Sequence, residues 1–547
     1  MPLMTGGQAV IRALRAEGVE VVFGLPGVQI MHIYDALFDT REVRLITTRH
    51  EQTTAYMADG YARSTGRIGV ALVVPGPGLY NAGAALSTAY ATSSPVMLIS
   101  GQVHSEGIGR DLGALHEVHD QQEVVRPVTK WRHRVTHAEE VPAAIHEAVR
   151  QLSTGRPRPV EVEIAPDILA AEVDVEIIEP EAYPRPAPDA DAVKRAAELL
   201  AGARRPLIWA GGGVNLSGAS QELRQVAELL NAPVVTTAEG HGALPYAHPL
   251  FMGAMNYSWG PGRDLVPHAD VVLAVGTRFG SHRRDPAESL NSPQKLVNLN
   301  VDEAELGRSY PVEVGLATDA RVALEHLARA LRGRGVQGEW DAAELAEIKS
   351  GARERIRRTA PQQLSVMDGL RRAIPEDGFV ISGVTSIGSW GTIAYPTERP
   401  RTFITSSYMG TLGFAFPTAL GVKVGNPDRA VVALCGDGGF MYAVADLATA
   451  VQYGIDVVAV VFNNRQYGAS KGDQDRRFGR RVIGTELHNP DFVKLAESFG
   501  ARGMRVERLE DISEAVRDAI GGQRPTVVEV EVADGTLAPP YYTTQPA

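Results

Sequence analysis

A single cysteine, Cys435, in 547 residues leaves no intramolecular disulfide to form and makes a cysteine-based metal site very hard to build. It stands at the end of an apolar run beside Gly436, where a small, inert, buried side chain is expected. Long hydrophobic runs are missing too. No stretch approaches 18 uninterrupted apolar residues, so no membrane-spanning helix is expected. Blocks of one charge are also absent: the formal charge of −11 is spread over interspersed acidic and basic residues, which excludes a nucleic-acid or membrane-binding patch from expectation. The opening MPLMTGGQAVIRALRAEGVE reads as an amphipathic helix rather than a signal peptide, and the expectation is a soluble cytoplasmic protein.

The chain is too long for one core, and two to four domains are expected. Over its first third, short apolar runs at 21–23, 43–48, 69–74 and 96–100 alternate with stretches of helical period at 5–17, 30–38, 52–63 and 81–90. Alternation of this kind gives an α/β fold with a doubly wound, mostly parallel sheet. Prolines and acidic residues cluster around 176–190 (EIIEPEAYPRPAPDA), a stiff linker. The rhythm then restarts, with a helix near 191–202, strand Pro206–Ala210, and further strands near 234–237, 271–275 and 296–300. Gly211, Gly212 and Gly213 follow a strand but lack the full dinucleotide spacing, so a tight strand-to-helix turn is the preferred reading. Three doubly wound domains result, at 1–178, 190–335 and 361–547, the first and last alike in rhythm.

Chemistry concentrates in the last domain. Gly436-Asp437-Gly438 follows the run Ala430–Leu434, and Asn463-Asn464 comes after 24 intervening residues, at the end of a second run at 456–462. Phe440, Val444, Leu447, Ala448 and Val451 fall between them at helical spacing, as one helix starting at Gly439. The βαβ unit so formed places both polar clusters at the carboxyl ends of neighbouring parallel strands. Asp437 offers a carboxylate oxygen, Asn464 an amide oxygen and Gln466 a carbonyl. Such hard oxygens suit magnesium or calcium and leave room for phosphate oxygens, while helix N–H groups face a diphosphate. Gly-Asp-Gly alone also serves as a plain turn; the asparagine pair at this spacing is what shifts the reading.

That segment resembles the thiamine-diphosphate motif, in which Gly436, Asp437, Gly438, Gly439 and Asn464 would hold the diphosphate and its magnesium. The stretch RHEQTTAYMADGYARSTGRIGVALVVPGPGLYNAG resembles, almost position by position, the pyrimidine-binding domain of acetolactate synthase and its relatives. The resemblance implies three domains, pyrimidine-binding, central and diphosphate-binding. It gives Glu51 the role of hydrogen-bonding the aminopyrimidine so that the cofactor's own amino group can deprotonate the thiazolium carbon. Read alone, Glu51 is also a carboxylate suited to a helix's first turn. Gly410 and Leu412 match the turn whose glycine carbonyl takes the cofactor's amino group and whose apolar residue props the bent cofactor. Thr385 and Ser386 match diphosphate-binding positions, although hydroxyls ahead of a helix are also ordinary caps. The likeness covers nearly the whole chain and is strongest at 45–102 and 405–470.

Three reactions compete within that resemblance. An acetolactate-synthase-like carboligase would decarboxylate pyruvate or another 2-oxo acid and transfer the acyl unit. TTAEGHGALPYAHPLFMGAM favours this reading, as does Lys130, which matches a lysine near the active-site mouth. A benzaldehyde-lyase-like enzyme would act on 2-hydroxyketones and aldehydes; TKWRHRV at 129–135 and GTELHN at 484–489 are similar to it. A plain 2-oxo acid decarboxylase is the third, weakened because its histidine would fall near Val74. Flavin (FAD) is doubtful, because Thr277-Arg278-Phe279-Gly280-Ser281-His282-Arg283 keeps the arginine of the synthase pattern but departs beyond it. Alignment with benzaldehyde lyase puts His116 at a catalytic glutamine and Gln29 at a histidine, an exchange of polar groups across one pocket; both also read as exposed loop residues. The resemblance further implies a homodimer or homotetramer with active sites shared between subunits.

Overall fold

Apolar runs such as those of Gly69–Val73, Val271–Val275 and Val458–Asn463 cannot expose themselves on either face, and in the computed structural model they are inner strands of three six-stranded, all-parallel sheets with helices on both sides. The structure describes residues 3–255, 259–280, 290, 294–533 and 535–541. The N-terminal sheet comprises Val21–Gly24, Arg44–Thr47, Gly69–Val73, Val96–Gly101, Trp131–Val135 and Val160–Ile164. In these ordinals its spatial order is 2-1-3-4-6-5. The C-terminal sheet, Phe379–Ser382, Phe403–Thr405, Val431–Gly436, Val458–Asn463, Arg502–Val506 and Thr526–Glu531, has the same order, 2-1-3-4-6-5. The central sheet, Pro206–Ala210, Val234–Thr236, Phe251–Ala254, Val271–Val275, Lys295–Asn300 and Val314–Ala317, runs 3-2-1-4-5-6. Met4–Thr5 pairs antiparallel with Glu172–Val173 and ties the chain's start to the end of the first domain.

The first and last domains share one apolar core, in which Phe23, Tyr56 and Leu98 join Phe379, Phe414 and Phe440; the central domain has a core of its own. The shared core is closed by two crossing helices, Glu51–Thr65 and Ala415–Gly425. They meet backbone to backbone: a Cβ on Gly60 would sit 2.2 Å from the Thr418 carbonyl oxygen, and one on Gly421 2.0 Å from that of Met57. Side chains there would overpack the crossing at a cost of about 1–3 kcal/mol each. Polar contacts lock the joint. Buried Asp446 accepts from the Thr53 hydroxyl (2.5 Å) and the Arg49 N–H (2.8 Å), and Thr47 N–H donates to the Tyr453 hydroxyl (3.0 Å).

That joint explains a departure from the sequence reading. The single helix expected from Gly439 to Val451 is two, Asp437–Met441 and Leu447–Tyr453, with a 3-10 turn at Val444–Asp446 between them. The break places Asp446 against the N-terminal domain and turns Val451 out to solvent. A single-turn helix carries little macrodipole, so a diphosphate here has to be held by other donors as well. The glycine triplet is a tight turn, since a Cβ on Gly211 would lie 2.4 Å from the Gly276 carbonyl oxygen.

Candidate active site

In the C-terminal domain the loops after the first four strands converge. Thr385 and Ser386, Gly410 and Leu412, Gly436 to Gly439, and Asn464 and Gln466 all line one cavity of about 420 Å³. Thr385 is the N-cap of helix Ser386–Ala394, yet its hydroxyl makes no capping bond, so it remains available to a ligand. Gly410 takes φ +58°, in the left-handed region, and a Cβ on Gly439 would touch Leu412 Cδ2 at 4.0 Å, so Leu412 walls the cavity opposite the glycines. A Cβ on Gly438 would fall 2.6 Å from the Tyr467 ring, which would have to move to admit it.

The asparagine pair divides its work. Asn463 is buried in the scaffold: its Nδ2 donates to Glu529 (2.7 Å) and its Oδ1 accepts from Asn489 (2.8 Å). Asn464 is the half-buried one that faces the cavity. Gln466 is pinned by an antiparallel bridge to Glu486, which fixes its backbone. Asp437 is buried, and its Oδ2 accepts from Asn489 Nδ2 at 2.7 Å. Burial pushes its carboxyl up, with the Gly438 N–H and the Asn489 amide working against that. Asn489 ends the GTELHN stretch noted in the sequence, but no role was assigned to it there.

The donor set fits a cation bound together with phosphate. Among the described residues no cluster of three or more His, Cys, Asp or Glu could hold a metal, so Asp437, Asn464 and the Gln466 carbonyl would need further oxygens from a ligand. Among the described residues of the cavity wall, the hydroxyls of Thr385 and Ser386 and the glycines at 436 and 438–439 suit a diphosphate, and Leu412 supplies an apolar prop.

The N-terminal domain carries a second cluster at the matching ends of its strands. Glu51, at the start of its helix, is buried, and its Oε2 accepts from Asn81 Nδ2 at 2.9 Å. The Pro75–Gly78 turn packs beside it, with Glu51 Oε1 3.5 Å from where a Gly78 Cβ would be. On the turn's other flank a Gly76 Cβ would meet the His116 carbonyl oxygen at 2.5 Å. Gln29 is buried and donates to the Leu115 carbonyl at 3.0 Å, which brings it to the His116 loop. Gln29 Oε1 and His116 Nδ1 are both shut from solvent without a hydrogen-bond partner. Two orphaned polar atoms beside one turn are what a ligand or water would satisfy. Neither residue is therefore a plain exposed loop position. Asn81, which holds Glu51, was missed in the sequence.

Lys130 does not face this cluster. Its ammonium donates to the Gln151 and Thr154 carbonyls (2.6 and 2.7 Å) and so closes the end of helix Val141–Ser153. Of the flavin-pattern stretch, Ser281, His282 and Arg283 lie outside the described residues. Arg278 donates to the Ala91 carbonyl (2.9 Å) and lies over the Tyr408 ring at 4.9 Å. It borders a cavity of about 1350 Å³ at the junction of the three domains, which shares Val384, Ser389 and Gly410 with the smaller one.

Comparison with known proteins gives three family matches along the chain. Residues 4–124, 193–327 and 383–530 match the N-terminal TPP-binding, central and C-terminal TPP-binding domains of thiamine pyrophosphate enzymes. A probable acetolactate synthase large subunit of Methanocaldococcus jannaschii is 34% identical over 98% of this chain and 93% of its own. The acetolactate synthase large subunit of Haemophilus influenzae is 34% identical over 95% and 92%, and a probable 2-ketoarginine decarboxylase of Pseudomonas aeruginosa is 34% identical over 97% and 94%. The chain thus belongs to the thiamine pyrophosphate enzymes, as an acetolactate synthase-like carboligase dependent on thiamine diphosphate.

Proposed function

We propose that this enzyme, with magnesium, decarboxylates a 2-oxo acid such as pyruvate and transfers the acyl unit to a second carbonyl compound. The observation that carries the reading is the convergence of Glu51, Gln29 and His116 on the Pro75–Gly78 turn, with Gln29 Oε1 and His116 Nδ1 left unpartnered. When bound, thiamine diphosphate supplies an acidic carbon whose conjugate base attacks carbonyl groups. Asp437, Asn464 and the Gln466 carbonyl would hold the magnesium, and Thr385, Ser386 and Gly436 to Gly439 the diphosphate. Gly410 and Leu412 would hold the aminopyrimidine end, and Glu51 would exchange a proton with its ring nitrogen. The His116 imidazole, with Nδ1 unpartnered, suits proton transfer to substrate; Gln29 would orient it by hydrogen bonding.

Glu51 is not among the described residues lining the cavity that Asp437 faces. We accordingly propose that each site joins the first domain of one subunit to the last domain of another, in a homodimer or homotetramer of cytoplasmic location. Exposed apolar side chains next to both clusters, Val28, Leu115, Tyr408 and Tyr442, support an interface there. The units proposed are 1–178, 190–335 and 361–547. Flavin is proposed to be dispensable, since Arg278 is already engaged by Ala91 and Tyr408. The second reading is decarboxylation without ligation, favoured by the decarboxylase among the relatives.

The test is incubation of stripped protein with thiamine diphosphate and magnesium, separately and together. Pyruvate, benzoylformate, benzoin and a guanidino 2-oxo acid are the substrates, with product identification. Carbon dioxide and a ligated product from pyruvate, only with both additions, are expected. Aldehyde as sole product selects the second reading, and cleavage of benzoin alone overturns both. Sedimentation showing an active monomer would refute the shared site, and a yellow protein with stoichiometric flavin the flavin proposal.

A further inference from the structure

Beneath the Pro75–Gly78 turn lies a buried polar chain that none of these roles uses. Gln121 is fully buried. Its Oε1 accepts from the Gly76 N–H at 3.0 Å, and its Nε2 donates to the Gly101 carbonyl (2.9 Å), Ser100 Oγ (3.1 Å) and Glu163 Oε2 (3.3 Å). Ser100 in turn donates to Glu161 Oε1 at 2.5 Å. Glu161 and Glu163 both point inward from the last strand of the sheet and are fully buried, and Glu161 Oε2 has no partner. The neighbouring strand sets Arg132 and Arg134 in register with them; Arg134 pairs with Glu163 and also lies 3.8 Å from Asp120. Leu98 and Ser100 face them from the other side.

The geometry at Gly76 gives this chain its leverage. Gly76 has φ +57° and ψ −110° and starts the helix that carries Asn81, the residue holding Glu51. A shift of the Gly76 N–H would therefore move the wall beside Glu51, the amide that orients Glu51, and the backbone contact to His116. We infer that Gln121 is a positioning residue, which locks the turn between Glu51 and His116 and couples that turn to the charge of the buried Glu161–Glu163 pair. Burial and the adjacent Glu163 push Glu161 up to about 8, so the pair keeps one proton at neutral pH. When that proton leaves, two facing negative charges draw the Gln121 amide hydrogens and the Ser100 hydroxyl toward themselves. The bond to Gly101 weakens, and the turn loosens as pH rises.

The inference rests on the proposed roles of Glu51 and His116, and two substrate-free measurements separate the two. The first is amide hydrogen exchange of the 70–80 segment, with and without thiamine diphosphate and magnesium. The second is proton–deuterium exchange at the thiazolium carbon in the loaded enzyme, followed from neutral to alkaline pH. Gln121→Ala should speed exchange at Gly76 and slow thiazolium exchange, each by roughly tenfold, as expected for a small misplacement. Glu161→Gln, which cannot ionise, should leave the neutral rate within about twofold and abolish its alkaline decline. It also keeps the test alive if Gln121→Ala does not fold. Unchanged Gly76 protection together with an unchanged pH profile in Glu161→Gln would overturn the inference. If Glu51→Gln itself leaves thiazolium exchange unaltered, the reading of the site fails instead.

Discussion

The first and last domains have the same strand order, and the same four loops carry their functional groups, yet the two sites are chemically unlike. After the first strand stand Gln29 in one and Thr385 in the other; after the second, Glu51 and the Gly410–Leu412 turn; after the third, Pro75–Gly78 and the Gly436–Gly439 stretch; after the fourth, His116 and Asn464. The N-terminal set offers a buried carboxyl, a carboxamide and an imidazole. The C-terminal set offers a carboxylate, amide oxygens and open backbone for an anion with its cation. On the proposed reading, one scaffold would handle protons at one copy and anchor charge at the other, the difference lying in residues at the strand ends.

Breaking the anchoring half should have the largest effect. Asp437→Ala should abolish bound thiamine diphosphate and magnesium, with activity falling by about three orders of magnitude or more; calorimetric titration reads the lost binding, and normal affinity would dissolve the distinction between the halves. Breaking the proton-handling half should be smaller and of another kind. Glu51→Gln should keep cofactor binding and slow thiazolium exchange by roughly two orders of magnitude, measured by deuterium incorporation. Third comes support within the anchoring half: Asn489→Ala removes the bonds to Asp437 and Asn463 and should weaken magnesium binding about 10–100-fold without ending it.

The central domain, with its different strand order, sharpens the contrast through stability alone. His241 is fully buried between it and the last domain and hydrogen-bonded to the Thr392 carbonyl (2.7 Å); burial pushes its imidazole down to about 4. Unfolded histidine takes up a proton near pH 6.5, so the stability tied to neutral His241 is whole above that value. It is lost as pH falls through the window from about 6.5 to 4 and changes no further below. The loss amounts to roughly 3 kcal/mol. Denaturant midpoints across that window should flatten in His241→Phe relative to the parent, with cofactor affinity at neutral pH unchanged.

The parts of this design that a sequence displays are those where short apolar runs end in glycine, asparagine or hydroxyl residues, because a strand's end and its ligand-facing loop are adjacent in the chain. The placement of Gly436–Gly439, Asn464, Thr385 and Glu51 beyond strand ends was legible for that reason. Strand Trp131–Val135 was not, because WRHRV lacks the apolar run that marks the other early strands; its arginines face glutamates buried on Val160–Ile164, a pairing only the sheet creates. The break at Val444–Asp446 escaped for a similar reason, since the partners of Asp446 are some 400 residues away in the chain. Asn81, Gln121 and Asn489 act by holding other residues, and a residue's second neighbour leaves no mark in its own spacing.

Cys435 is the next-to-last residue of strand Val431–Gly436 in the last domain and is buried, with burial pushing its thiol up to about 12. At neutral pH it is neither reachable nor a thiolate, so the folded protein is silent toward maleimides and iodoacetamide. A reporter cysteine set into either half-site, beside Val28 or Tyr442 for example, would then be the only labelled position in the molecule. Fluorophores or spin labels placed in this way could follow the approach of the two halves with no background to subtract and no native residue to remove.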